Sequence, residues 1–149
     1  MTGNPATTQV TWRERMTFDA TTNSGHSLVL DSAPPEGDDR GVRPMELLLT
    51  ALAGCTAMDV LSILEKKREP VQGLQVTIDA LRATEYPRVY TEIHVMYHVH
   101  GNVNPKALEH AIELSESKYC GVGAMLGKCA TITSRYEIEN SFAPRQPAE

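Results

Sequence analysis

The sequence predicts an α+β fold in which strands surround an unusually apolar helix. Three observations carry this: strand-like stretches flank a long helical one, the order reads strands, helix, strands, helix, strand, and the first helix is apolar around nearly its whole circumference. A chain of 149 residues has room for one sizeable core, so a single domain, residues 1–149, is expected.

Thr8 to Phe18 mixes β-branched and aromatic residues with charges and reads as a strand. Thr22-Asn23-Ser24-Gly25 is a turn and His26 to Leu30 a short apolar run, so the chain is expected to open as a β-meander. Ala33 to Arg43 holds two prolines, two glycines and three acidic residues, the composition of a loop. Pro44 suits a first helical position, and the helix continues to about Lys67, before Glu69-Pro70 stops it. Apolar residues from Leu47 to Leu64 point in nearly every direction around its axis. That run is about as long as a membrane span, but Asp59 inside it and Thr50, Gly54, Thr56 and Ser62 along it favour a buried helix. Such a helix must be wrapped by other structure, more than one chain of this size supplies, and an obligate dimer is expected.

Leu74 to Ala83 and Val89 to His100 read as strands joined through Thr84-Glu85-Tyr86-Pro87. In the second, Ile93, Val95, Tyr97 and Val99 face one way; Glu92, His94, Met96, His98 and His100 face the other, wetter side. Asn104-Pro105 caps a helix expected to run to Cys120, with Leu108, Ala111, Ile112, Ser115 and Tyr119 on its apolar stripe. Gly121-Val122-Gly123 is expected to end it, Ala124 to Gly127 to add a short turn, and Cys129 to Ile138 to form a last strand.

Fourteen basic against nineteen acidic residues give a net charge of −5, with the basic residues dispersed, which argues against nucleic-acid or anionic-membrane partners. Three cysteines cannot close a disulfide framework, and Met1 to Trp12 has no basic start or apolar run of a leader, so a reducing cytoplasm is expected. No serine stands in a G-x-S-x-G turn and no Gly-rich loop links a strand to a helix at nucleotide-binding spacing. His98 and His100, two apart with Glu92 near, could share a metal, but surface histidines are the simpler reading; no cofactor and no metal is expected. Cys129 reads as a core residue, and Cys55, in mid-helix, as either a packed thiol or a reactive one. Cys120 precedes two glycines, where a sulfur can reach a partner.

Arg43-Pro44-Met45-Glu46-Leu47-Leu48-Leu49-Thr50-Ala51-Leu52-Ala53-Gly54-Cys55-Thr56-Ala57-Met58, together with Lys118-Tyr119-Cys120-Gly121-Val122-Gly123-Ala124-Met125-Leu126, resembles the OsmC/Ohr family of thiol-dependent hydroperoxide reductases. Within it the sequence is most similar to the YhfA-type branch. The resemblance runs from about residue 8 to residue 140 and implies antiparallel sheets wrapping two central helices in an intertwined homodimer, with the sites at the interface. It implies that Cys55 attacks organic hydroperoxides or hydrogen peroxide in oxidative-stress defence, and that Cys120 resolves the product as a disulfide. An external dithiol must then reopen the bridge, since the chain has no Cys-X-X-Cys.

The family also supplies an arginine beside the thiol and a glutamate that orients it. Arg40 and Arg43 are the arginine candidates; Arg40 is preferred because Arg43 precedes Pro44 and is held extended. Met45 stands where the family has its glutamate, and Glu46, one place later and turned by about 100°, is the available carboxylate. Asp59, one turn after Cys55, would oppose ionisation of a neighbouring thiol. The alternative is a redox-sensitive binding protein that holds an apolar or electrophilic ligand at the dimer interface.

Overall fold

In the computed structural model, which describes residues 3 and 5–140, Arg15 adopts a positive φ of 47°. The chain reverses there, and the stretch expected as one strand becomes two: β1, Thr8–Glu14, and β2, Thr17–Thr22, with Glu14 opposite Thr17. Arg-Met carries none of the usual turn chemistry, so the reversal is silent in the sequence. The turn at Thr22 to Gly25 forms as expected and leads to β3, Ser27–Leu30, giving an antiparallel sheet in the order β1-β2-β3.

The described residues gather into two compact units, one up to Leu48 and one from Leu49. In the first, the loop after β3 is built around Asp31, whose carboxylate accepts hydrogen bonds from the backbone N–H of Ser32 (2.7 Å), Arg40 (3.1 Å) and Asp38 (3.4 Å) and from the Thr17 hydroxyl (3.1 Å). Burial alone would raise this carboxyl, but those donors outweigh it and hold it below its ordinary value. Helix α1, Pro44–Lys66, begins at the proline, as its fixed φ favours.

In the second unit, Leu52, Thr56, Val60 and Leu64 form a stripe of one residue per turn and are the buried residues of α1. The rest of its apolar surface is half-covered or open within the chain, with Met58 75% exposed. Strands β4, Gly73–Arg82, and β5, Tyr90–His100, pair antiparallel, with Val76 opposite Tyr97. Alternation in β5 follows the sequence pattern: Ile93, Val95, Tyr97 and Val99 are buried, while His94 is exposed and Met96, His98 and His100 are half-buried. Gly101 ends this strand at φ +121°, with its missing Cβ directed at the Pro70 carbonyl.

Helix α2, Pro105–Leu114, starts where the Asn104 side chain accepts the Lys106 N–H at 2.9 Å. It does not continue regularly to Cys120. Ser115–Tyr119 form a π turn, and Cys120, extended at φ −74°, ψ 95°, starts helix α3, Gly121–Leu126. The last strand, β6, Thr131–Glu139, runs parallel to β5, with Tyr97 opposite Tyr136. This departs from the all-antiparallel expectation because two adjacent strands joined by a helical crossover run the same way. Cys129, expected at the start of that strand in the core, is exposed in the turn before it, and Ala130 is buried instead.

Candidate functional site

Cys55 and Asp59 lie four residues apart on α1, one turn on the same face. Cys120 reaches them through the π turn. Its N–H donates five residues back to the Ser115 carbonyl at 2.8 Å, and one extra residue in the turn shifts its direction from that of a regular helix. The Sγ atoms of Cys55 and Cys120 and a carboxylate oxygen of Asp59 all lie within 4.8 Å of one another. Both cysteines are thiols, Cys55 half-buried and Cys120 buried.

The surroundings of the Cys120 sulfur oppose its ionisation. Burial, a hydrogen bond to Cys55 and the nearby Asp59 push the Cys120 thiol up to about 11, against the Gly123 N–H that donates to its Sγ at 3.2 Å. Cys120 therefore keeps its proton in neutral solution, and Cys55 is the more accessible sulfur. The anticipated opposition from Asp59 is felt at Cys120.

Behind the sulfurs runs a buried hydroxyl chain that periodicity did not reveal. Ser115 Oγ donates to Asp59 Oδ2 at 2.9 Å and lies 3.0 Å from Thr56 Oγ1, which also bonds the Tyr97 hydroxyl. A hydroxyl has one proton, so with Ser115 donating to the carboxylate, Thr56 donates to Ser115 and Tyr97 to Thr56. Thr56, Ser115 and Tyr97 are all at most 3% exposed, and burial pushes the Tyr97 phenol up to about 12. The available signal was a hydroxyl on each apolar stripe, Thr56 in α1 and Ser115 after α2, since buried hydroxyls need partners. A cavity of about 440 Å³, lined by Leu52, Val95, Tyr97, Gly123 and Ile132 among others, opens onto Cys120. Gly123 keeps that approach clear, because a Cβ there would stand 3.3 Å from the Cys120 sulfur and 3.5 Å from Leu52 Cδ1.

A family model described as OsmC-like protein matches residues 37–135. The chain belongs to the OsmC-like family. Among its OsmC-like relatives, Protein YhfA of Escherichia coli K12 is 38% identical over 131 residues, covering 87% of this chain and 96% of the relative, which sets the chain on the YhfA branch. A hypothetical protein from Aquifex aeolicus has a solved structure similar to this one, with a TM-score of 0.82 at 31% identity, covering 92% of this chain and 98% of that one. An organic hydroperoxide resistance protein from Elizabethkingia anophelis shares the fold, with a TM-score of 0.71 at 10% identity and coverage of 93% and 99%. The α+β class is thus the OsmC-like fold.

The two charged residues that the family resemblance nominated lie in the first unit. The Arg40 guanidinium pairs with Glu14 and, at 3.5 Å, with Asp38; these acidic partners raise its pKa further. Glu46 accepts the Arg43 N–H at 3.0 Å and pairs with its guanidinium at 3.7 Å. The arginine that Glu46 engages is thus Arg43, the candidate set aside because of Pro44. On β5, His94, His98 and His100 pair separately with Glu92, Glu137 and Glu139, each at 3.5 Å. Among the described residues, three side chains of types able to ligate a metal converge at Cys55, Asp59 and Cys120 and not on this strand.

Proposed function

We propose that the protein is a thiol-dependent hydroperoxide reductase of the reducing cytoplasm, acting in oxidative-stress defence. The observation that carries this reading is the meeting of the Cys55 and Cys120 sulfurs, with a cavity of mixed polar and apolar lining that reaches Cys120. Membership of the OsmC-like family supports it, as does the fold shared with proteins described as organic hydroperoxide resistance proteins from Elizabethkingia anophelis and Legionella pneumophila.

In the first step the Cys55 thiolate attacks the distal oxygen of ROOH; the O–O bond breaks, the alkoxide takes up the proton that Cys55 released on ionising and leaves as ROH, and Cys55 becomes a sulfenic acid. In the second, Cys120 attacks that sulfur, and its proton departs with the sulfenic hydroxyl as water while the disulfide forms. An external dithiol then exchanges through a mixed disulfide and restores both thiols. Arg40 is proposed as the cation that favours the Cys55 thiolate and Glu46 as the orienting carboxylate, with Arg43 the alternative cation through its pair with Glu46. A homodimer belongs to the same reading, supported by the uncovered apolar surface of α1 around Met58.

Rapid mixing with cumene hydroperoxide and dithiothreitol tests the cycle. Cys55→Ser is expected to lose turnover by at least about a thousandfold, as removal of a nucleophile does. Without dithiothreitol, pre-reduced Cys120→Ser is expected to consume one equivalent of peroxide and leave a sulfenic acid that dimedone traps. Undiminished consumption by Cys55→Ser would remove the proposal.

The cavity beside Cys120 favours one other reading, that of a redox-sensitive protein binding an apolar or electrophilic ligand. Native mass spectrometry showing a stoichiometric ligand, with no peroxide turnover, would select it.

A further inference from the structure

We propose that the reduced dithiol and Asp59 together form a binding site for a soft divalent cation, with zinc the best fit. The site uses the same two sulfurs as the redox cycle but does not require them to turn over.

Three donors from two elements converge: Cys55 and Asp59 from successive turns of α1, and Cys120 from the cap of α3. Their ligand atoms lie within 4.8 Å of one another. Two thiolates bound at about 2.3 Å to one tetrahedral ion stand roughly 3.8 Å apart, so only a small closing movement is needed. Two sulfurs with one carboxylate oxygen suit zinc rather than calcium or magnesium, which prefer all-oxygen shells. A divalent cation would displace the two thiol protons and balance the charge that their loss leaves beside the Asp59 carboxylate, with no change of oxidation state.

The surroundings match what a bound ion needs. Ser115 holds the Asp59 carboxylate by donating at 2.9 Å, and Ser115 is itself fixed through Thr56 and Tyr97. The Gly123 N–H already points at the Cys120 sulfur, at 3.2 Å. Three protein donors leave a fourth position for water, and the cavity that opens onto Cys120 gives it room. Joining the sulfurs as a disulfide would abolish two of the three donors, so the site would exist only in the reduced protein.

The test is competition for zinc between freshly reduced, metal-free protein and a chromophoric chelator of micromolar affinity. One zinc per chain is expected, lost in Cys55→Ser and Cys120→Ser and kept in Cys129→Ser. Asp59→Asn is expected to weaken binding by at least about tenfold, since even outer-shell changes at metal sites cost that much. Diamide, which takes two electrons and two protons from a dithiol and becomes a hydrazine, is expected to abolish binding. Cobalt in place of zinc gives a second readout, a thiolate-to-metal charge-transfer band whose intensity scales with the number of sulfurs bound and is expected at the two-thiolate level. No zinc retention by the wild type, or binding by Asp59→Asn equal to wild type, would overturn the site. Peroxide consumption is followed separately on metal-free protein, so loss of either property leaves the other measurable.

Discussion

Thr56 is the residue on which the buried polar chain turns, since its hydroxyl meets both Tyr97 and Ser115. Thr56→Val keeps the shape and removes both bonds, leaving two buried hydroxyls each one partner short. The expected cost is about 1–3 kcal/mol, read from urea unfolding of reduced protein; an unchanged midpoint would show that the chain adds nothing to stability. Asp31 gives the pH counterpart. Its carboxyl is held below its ordinary value, so the stability it contributes is complete above the ordinary carboxylate range and is lost as pH falls through the lowered folded value. The wild type is therefore expected to lose melting temperature on acidification below about pH 4, and Asp31→Asn to lose less; equal acid slopes would refute the assignment. At this scale Cys55 and Cys120 were legible because cysteines are few and their motifs distinctive. The hydroxyls were not, because Thr56 finds its partners 41 and 59 positions away, and periodicity reports burial without naming neighbours.

The elements show where local pattern stops being informative. β4, β5 and the start of α2 follow their alternation and capping signals closely. The turn at Arg15 lacks turn residues, the parallel pairing of β6 is set by the crossover, and the π turn adds one residue that a 3.6-residue pattern absorbs unnoticed. That residue aims Cys120 at Cys55. Deleting Ser117, within the π turn, restores helical register and rotates Cys120 by about 100°. The deletion is expected to abolish the Cys55–Cys120 disulfide after peroxide or diamide treatment, by mass spectrometry of non-reduced peptides, while circular dichroism stays near wild type. A disulfide formed at the wild-type rate would deny the turn its positioning role.

For the whole molecule, the question is what covers α1. Only one stripe of an almost wholly apolar helix is buried within the chain, and Met58 is 75% exposed. The sequence announced this helix through its lack of a polar face, but one chain's sequence cannot name the surface that meets it. If a second copy covers it, Met58→Glu places an unpaired charge in that interface and is expected to weaken the dimer by about a hundredfold or more, read by light scattering across a dilution series. A monomeric wild type would discard the dimer.

The nearness of the two sulfurs also bears on how long a molecule lasts. Joining them would tether mid-α1 to the cap of α3 across 65 positions of chain, and loop entropy sets such a cross-link at about 4 kcal/mol against unfolding. Spent, oxidised molecules would then resist heat and proteases until a dithiol released them, whereas idle reduced ones would be degraded first, so the protein's lifetime would lengthen with exposure to oxidant.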